Sequence, residues 1–335
     1  MSDLLQVEGI TKTFSVPSGL FSSRPVSAVA DVSFTMGRGE ILGLVGESGS
    51  GKSTLARCVL SLTPPTAGRI LFDGEDVTRL RPARLREYRR RVQPVFQDPY
   101  ASLDPRWTVG RTIRESLDAY GIGSAHERDA RVLELLDRVG LRPEHAGRRP
   151  ARLSGGQRQR VGIAAALASR PELIVADEPV SALDVSVQAQ ILNLLADLRA
   201  DLGVSVLFIT HDLSVVEHLC QRTAVMYLGR LTEVAPTETF FAAPQHHYSV
   251  ALRDAIPRPD PAHRLDHAPL RGEIPSPLSP PSGCRFHPRC PAAVAICSSQ
   301  DPPLEPQAPD HLVACWNPVR ATTAEATQRP IRPGP

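Results

Sequence analysis

The sequence predicts an α/β fold with a mainly parallel sheet, and three stretches carry that prediction. The apolar run Ile41-Leu42-Gly43-Leu44-Val45 leads directly into Gly46-Glu47-Ser48-Gly49-Ser50-Gly51-Lys52-Ser53-Thr54, after which a helical pattern begins. Two more short apolar runs, from Leu173 and from Val204, end in Asp177-Glu178 and in His211-Asp212. An apolar run with polar chemistry at its C-terminal end is the pattern of a parallel strand buried on both faces. Between them Ser186 to Leu202 reads as an amphipathic helix, so strand, helix and strand alternate as a parallel sheet requires.

The glycine-rich stretch fits G-x-x-x-x-G-K-[ST] in its required place, after a strand and before a helix. A polyphosphate needs backbone N–H groups aimed inward without Cβ atoms in the way. Gly46, Gly49 and Gly51 supply that freedom, and the helix N-terminus supplies positive potential. Lys52 is placed to reach the β- and γ-phosphates and Ser53 to reach Mg²⁺. A plain glycine turn between strand and helix would require neither side chain.

The other elements follow in chain order. Leu4 to Ile10 reads as a strand, with loop composition from Val16 to Pro25, and Ala28 to Met36 as a second strand turning at Gly37-Arg38-Gly39. The helix after the phosphate loop is expected to stop before Pro64-Pro65, and Gly68 to Gly74 reads as a strand closing on an Asp-Gly turn. The basic stretch Arg79 to Arg91 reads as a solvated helical face. Val109 to Val139 has helical periodicity, with Ile113 and Leu117 on one stripe and Val132, Leu135, Leu136 and Val139 on another. Ser154 is placed to N-cap a helix from Gln157 to Leu167, which Pro171 ends.

Composition bounds the rest. The chain has 335 residues, 41% of them apolar and 22% charged, with a net charge of +2, so no nucleic-acid-sized basic field is present. Met1 to Lys12 is polar, without a signal-peptide core, and no apolar run reaches the ~18 residues of a bilayer span. A membrane role is therefore expected to come through partner subunits. Prolines thicken from Pro257 onward, and four of the six cysteines, Cys284, Cys290, Cys297 and Cys315, fall in the same last quarter.

Five separated motifs agree in order: Gly46 to Ser53, Gln97, Leu153 to Gln157, Leu173 to Glu178 with Ser181-Ala182-Leu183-Asp184, and His211. Together they resemble the ATPase subunit of an ATP-binding-cassette transporter. Val95 to Pro105, Ser154 to Arg160 and Gly283-Cys284-Arg285-Phe286 are similar to the dipeptide, oligopeptide and nickel importer branch, within which the long loop after Phe14 and Met226-Tyr227-Leu228-Gly229-Arg230 look most like the second of its two paired ATPase subunits. The resemblance implies a P-loop NTPase cassette over about 1–250: a mixed, mainly parallel sheet core, an antiparallel strand subdomain and a helical insertion at about 100–160. A loop-rich, Cys-containing extension over 251–320 and a disordered tail over 321–335 are expected to follow.

It also implies roles. Phe14 would stack on adenine, and Gly46, Glu47, Ser48, Gly49, Ser50, Gly51, Lys52, Ser53 and Thr54 would wrap the phosphates. Asp177, with Ser53 and Gln97, would hold Mg²⁺, Glu178 would polarise the attacking water, and His211 would sense the γ-phosphate. Ser154, Gly155, Gly156 and Gln157 would face the ATP of a second, non-identical ATPase subunit in a head-to-tail dimer. Two permease subunits and an extracytoplasmic binding protein complete the expected assembly at the cytoplasmic face of the cell membrane, with no nucleic acid. Two departures stand out. Ala165 occupies a position where the family commonly has Arg, and His246-His247-Tyr248 replaces the family's His-Pro-Tyr.

Clustered cysteines suggest metal before disulfides in a reducing compartment, and Cys284-x5-Cys290-x6-Cys297-x17-Cys315 offers four thiols. Similar extensions are associated with a [4Fe–4S] cluster, which the resemblance ranks first; zinc, with His287 as a further ligand, and unligated thiols remain open. The chief expectation is an ATPase powering uptake of peptides or a related solute such as nickel. A rival class is a non-transport cassette ATPase of DNA repair or translation, usually marked by two cassettes or a coiled-coil insertion.

Overall fold

The computed structural model describes residues 3–17, 23–98, 102–256 and 272–319. The expected tail at 321–335 and the Pro99-Tyr100-Ala101 part of the Gln97 motif lie outside these residues, as does 257–271 of the proline-rich stretch.

Strands β1 (Asp3–Pro17) and β2 (Ser23–Gly37) form a long antiparallel hairpin, followed by β3 (Ile41–Val45) and helix α1 (Lys52–Val59). Next come β4 (Ala67–Phe72) and β5 (Glu75–Asp76), then α2 (Pro82–Arg91) and β6 (Val92–Val95). Helices α3 (Val109–Tyr120) and α4 (Ala125–Arg138) precede α5 (Gly155–Ala168), β7 (Leu173–Asp177), α6 (Val185–Leu202) and β8 (Ser205–Thr210). The remainder is α7 (Leu213–Leu219), β9 (Arg222–Tyr227), β10 (Arg230–Pro236), α8 (Thr237–Ala242), α9 (His247–Asp254), β11 (Glu305–Ala308) and β12 (His311–Val313).

The strands build two sheets. One is antiparallel, in the order β2-β1-β4-β5; the other runs β11-β12-β10-β9-β3-β8-β7-β6 and is parallel from β9 through β6. All five residues of β3 are buried because both faces of the central strand are covered. Alternation divides them: Ile41 and Val45 join the core under α5 and α6, while Leu42 and Leu44 join the core shared with the antiparallel sheet. No described helix is long and apolar enough to cross a membrane.

The expected helices and buried strands are present, but the hairpin differs. Its strands continue through Pro17 and back from Ser23, where a loop is expected. There the ladder is solvent-exposed on both sides, and Ser15 and Ser23 pair through their hydroxyls at 2.9 Å, so no apolar alternation marks the strands. Strand β6 also escapes the pattern, having four residues with Gln93 and Pro94 in the middle. Pro94 is tolerated because β6 is the edge of its sheet.

Strands β11 and β12 carry the last part of the chain onto the other edge of that sheet, β12 pairing with β10. The sequence shows no obvious core in this part. The structure supplies one: Phe286, 1% exposed, packs against Tyr227 and Tyr248 at ring-centroid distances of 5.4 Å each.

Candidate active site

Strand β3 delivers the chain into the glycine-rich loop from a fully buried position, and two glycines there have no substitute. Gly46, at φ 154°, would place a Cβ 2.0 Å from the Met226 carbonyl oxygen, and Gly51, at φ 104°, would place one 2.2 Å from that of Ala28. The loop is thus threaded between β9 and the hairpin. The Gly229 N–H donates to the Ser50 carbonyl at 2.7 Å, and the Glu47 N–H donates to the Tyr248 hydroxyl at 2.9 Å. Phe14 pairs with Val26, two residues from Ala28, so the same hairpin that touches Gly51 carries this ring, 42% exposed, with Lys12 Nζ 5.2 Å from its centroid.

Lys52 lies inside the loop, 4% exposed, and Nζ donates to the carbonyls of Gly46 at 2.7 Å and Glu47 at 3.0 Å. Burial pushes its pKa below the usual lysine value, against the opposing pull of Glu178, Asp177 and Glu47. The next residue, Ser53, donates through Oγ to Asp177 Oδ1 at 3.0 Å. Burial raises the Asp177 pKa, and the Ser53 bond only partly offsets it. A half-buried carboxylate held beside a hydroxyl is suited to a divalent cation.

Glu178 stands one residue on, turned out of the strand at φ 47°, a left-handed conformation that a non-glycine residue adopts at a cost. Its N–H donates to the Ile209 carbonyl at 2.9 Å, which ties the turn to β8. The turn splits the two adjacent carboxylates: Asp177 faces Ser53, whereas Glu178 meets two other predicted site residues. Gln97 Nε2 donates to its Oε2 at 3.0 Å, and His211 Nδ1 lies 3.3 Å from its Oε1. Residues 97, 178 and 211, drawn from the ends of three neighbouring parallel strands, therefore meet at one carboxylate.

Ser154 N-caps α5 in a full capping box. The Gln157 N–H donates to Ser154 Oγ at 3.3 Å, and the Ser154 N–H donates to Gln157 Oε1 at 3.1 Å. A Cβ on Gly156 would come 2.4 Å from Val187 Cγ1, so this glycine lets α5 pack against the start of α6. The polar contacts of this segment are internal, and Ser154 itself is exposed.

The four clustered cysteines stand as free thiols. Burial pushes the Cys284 and Cys315 thiols up to about 11, and the neighbouring cysteines Cys290 and Cys297 add to the rise in both. Among the described residues, however, no group of three or more His, Cys, Asp or Glu side chains is arranged to hold a metal ion.

Three contacts of the phosphate loop have no counterpart in the sequence expectations. Besides the Tyr248 hydroxyl and the β9–β10 turn, Arg289 reaches the loop from the C-terminal segment, donating to the Glu47 carboxylate at 2.8 and 3.2 Å. The available signals were the His246-His247-Tyr248 and Gly283–Phe286 stretches, which carry family character without a stated role. The missing proline at 247 is compensated locally: the buried His246 ring accepts from the Tyr248 N–H at 3.0 Å and caps α9 itself.

Comparison with known proteins agrees with this geometry. A family model described as ABC transporter matches residues 29–181, and one described as the oligopeptide/dipeptide transporter C-terminal region matches 232–297. A probable peptide ABC transporter ATP-binding protein of Sinorhizobium fredii is 54% identical over 97% of this chain and 93% of its own length. The oligopeptide transport ATP-binding protein AppF of Bacillus subtilis is 48% identical over 93% of this chain and 96% of its own. Among solved structures, the dimeric ATP-binding cassette MJ0796 in a post-hydrolysis state with ADP and Pi aligns with a TM-score of 0.63 and 32% identity, over 70% of this chain and 98% of that one. The cbiO1 protein of Clostridium perfringens, part of the ABC transporter complex cbiONQ, aligns with a TM-score of 0.63 and 28% identity, over 72% and 92%. The chain belongs to the ABC transporter family, among its peptide-transport ATP-binding proteins.

Proposed function

We propose that this chain binds and hydrolyses ATP to power import of dipeptides or oligopeptides across the cytoplasmic membrane, bound at its cytoplasmic face to permease subunits served by an extracytoplasmic binding protein. The observation that carries the chemistry is the meeting of Gln97 and His211 on Glu178, next to the Ser53–Asp177 pair and Lys52. The relatives' names, which include a dipeptide transport ATP-binding protein of Haemophilus influenzae, favour peptide cargo.

In this reading residues 46–54 bind the phosphates and Phe14 the adenine ring. Ser53 and Asp177, with Gln97, whose amide rests on Glu178, would hold Mg²⁺, which neutralises phosphate charge during transfer. Glu178 orients and polarises the attacking water, held in place by Gln97, while His211 reports on the terminal phosphate. Such a site works by positioning and charge, so the turn that carries Glu178 to Gln97 and His211 is its central device. Ser154 to Gln157, at the exposed start of α5, face the nucleotide of a second, non-identical ATPase subunit.

A cleft of about 300 Å³ lined by Gln93, Phe96, Leu103, Tyr120, Gln159 and Ala165 is the surface assigned to the permease. Phe96, 43% exposed, adjoins Gln97, and Gln159 Nε2 is buried without a partner among the described residues. At the C-terminal extension, Cys284, Cys290, Cys297 and Cys315 are the residues that would hold a [4Fe–4S] cluster, as the resemblance to peptide-importer extensions implies, with zinc the alternative for the same thiols.

Anaerobic affinity purification from the native membrane tests both points. A hydrophobic permease, a second ATPase subunit, and iron with acid-labile sulfide are expected to accompany the chain. Isolation with ribosomes or DNA repair factors instead would overturn the transport reading, and iron-free, zinc-loaded protein the iron–sulfur one.

A further inference from the structure

The phosphate loop carries a carboxylate, Glu47, one residue after Gly46 and five before Lys52. A negative charge there is a liability for a site that must accept a polyphosphate, since like charges close together repel strongly where water is scarce. Its position is controlled from far along the chain. Arg289, in the short helical turn His287–Arg289, has a side chain only 5% exposed and holds both Glu47 oxygens in a fork, at 2.8 and 3.2 Å. Arg289 Nη1 also donates to the Tyr227 hydroxyl at 3.3 Å, and its guanidinium lies 5.8 Å from that ring's centroid.

The support comes from several directions. Phe286, three residues before Arg289, packs against Tyr227 and Tyr248, the second of which receives the Glu47 N–H. Arg285 Nη1 donates to the Leu228 carbonyl, next to Gly229, whose N–H donates to the Ser50 carbonyl at 2.7 Å. Backbone and side chain of Glu47 are thus both held by groups outside the loop. A planar bidentate fork fixes a carboxylate's direction as well as its charge, which a lysine ammonium does not.

We propose that Arg289 is a positioning residue for the nucleotide site: it neutralises Glu47 and holds its carboxylate away from the space for the phosphates, so that the C-terminal segment completes the ATP site in cis. The inference rests on the assignment of 46–54 to ATP. Binding of ATP by the unaltered full-length chain tests that assignment separately.

A double-mutant cycle on the full-length chain tests the inference, with a fluorescent ATP analogue and Mg²⁺ as the probe. R289A is expected to weaken binding by about 5- to 150-fold, the usual range of coupling between two sites. The loss should fall on KM for ATP, with kcat changed by less than about threefold, because uniform binding is what is removed. Adding E47Q to R289A should restore most of the affinity, since the charge that Arg289 restrains is then gone. A purely structural role for Arg289 predicts no such rescue. Wild-type affinity in R289A, or a double variant as weak as the product of the two single losses, overturns the proposal. Should R289A fail to fold, R289K serves in its place: a smaller loss, again rescued by E47Q, is expected, and wild-type affinity in R289K is the contrary result.

Discussion

Glu178 shows how one backbone torsion sets the chemistry of the site. Had the chain continued as a strand, consecutive side chains would point to opposite faces of the sheet; the left-handed turn at φ 47° instead brings the Glu178 carboxylate to the strand ends, where Gln97 and His211 reach it. Replacing it with Gln keeps the size and the Gln97 contact but removes the charge that polarises water. E178Q is expected to lower kcat for ATP hydrolysis by about 10²- to 10⁴-fold, the contribution of a general base, while ATP binding and ATP-dependent pairing persist. Hydrolysis at the wild-type rate would remove Glu178 from that role. Glu178 and His211 follow buried apolar strands that the sequence marks, whereas Gln97 follows β6, which has no apolar pattern, and is expected through the family resemblance. Their mutual contacts were not legible, since Gln97 and Glu178 lie 81 residues apart and no periodicity links them. Arg289 is the extreme case, with no local pattern around it and a partner 242 residues away.

At the scale of elements, the helices with an apolar stripe and a capping residue matched their sequence signals, as the paired stripes of α3 and α4 and the capping box of α5 show. Edge strands did not, because an edge needs neither alternation nor length. Helix α9 lies between these cases. Its start lacks the proline that presets a first turn, and a buried histidine acts instead as the cap, taking the Tyr248 N–H on Nδ1. Burial lowers the His246 pKa to about 4, the attraction of Glu233 only partly opposing it and His247 adding to the shift. The fold therefore favours the neutral ring. A folded pKa below the unfolded value of 6.5 means that this contribution is complete above pH 6.5 and is lost as pH falls toward 4. The span amounts to about 3 kcal/mol at 1.36 kcal/mol per pKa unit. Thermal unfolding of the wild type should weaken across that window, whereas H246N, which can cap without titrating, should show a flatter pH dependence. Parallel curves for the two proteins would place the acid sensitivity elsewhere.

Across the whole molecule, the two ends of the main sheet serve different tasks: parallel strands β6, β7 and β8 bring the reacting side chains together, while β10 and β12 anchor the C-terminal segment that reaches back to the phosphate loop. That anchorage was invisible in the sequence, where the segment shows proline and cysteine but no apolar period. It depends on a buried polar knot. Glu233 on β10, 0% exposed, lies 2.7 Å from His311 Nε2 on β12 and accepts the N–H groups of Gln245 at 2.8 Å and His246 at 2.9 Å. Removing His311 leaves the fully buried Glu233 side chain with only its backbone donors, and a buried polar group left short of a partner costs about 1 to 3 kcal/mol. H311A should therefore lower the urea midpoint strongly, and amide exchange should accelerate first at 305–313 and then near 284–290. Because Arg289 depends on that segment, ATP affinity should fall in parallel. H311Q, a neutral side chain that can still donate to Glu233, should recover part of both losses. Rapid exchange at 305–313 with unaltered ATP affinity would show that the sheet edge and the phosphate loop are energetically independent.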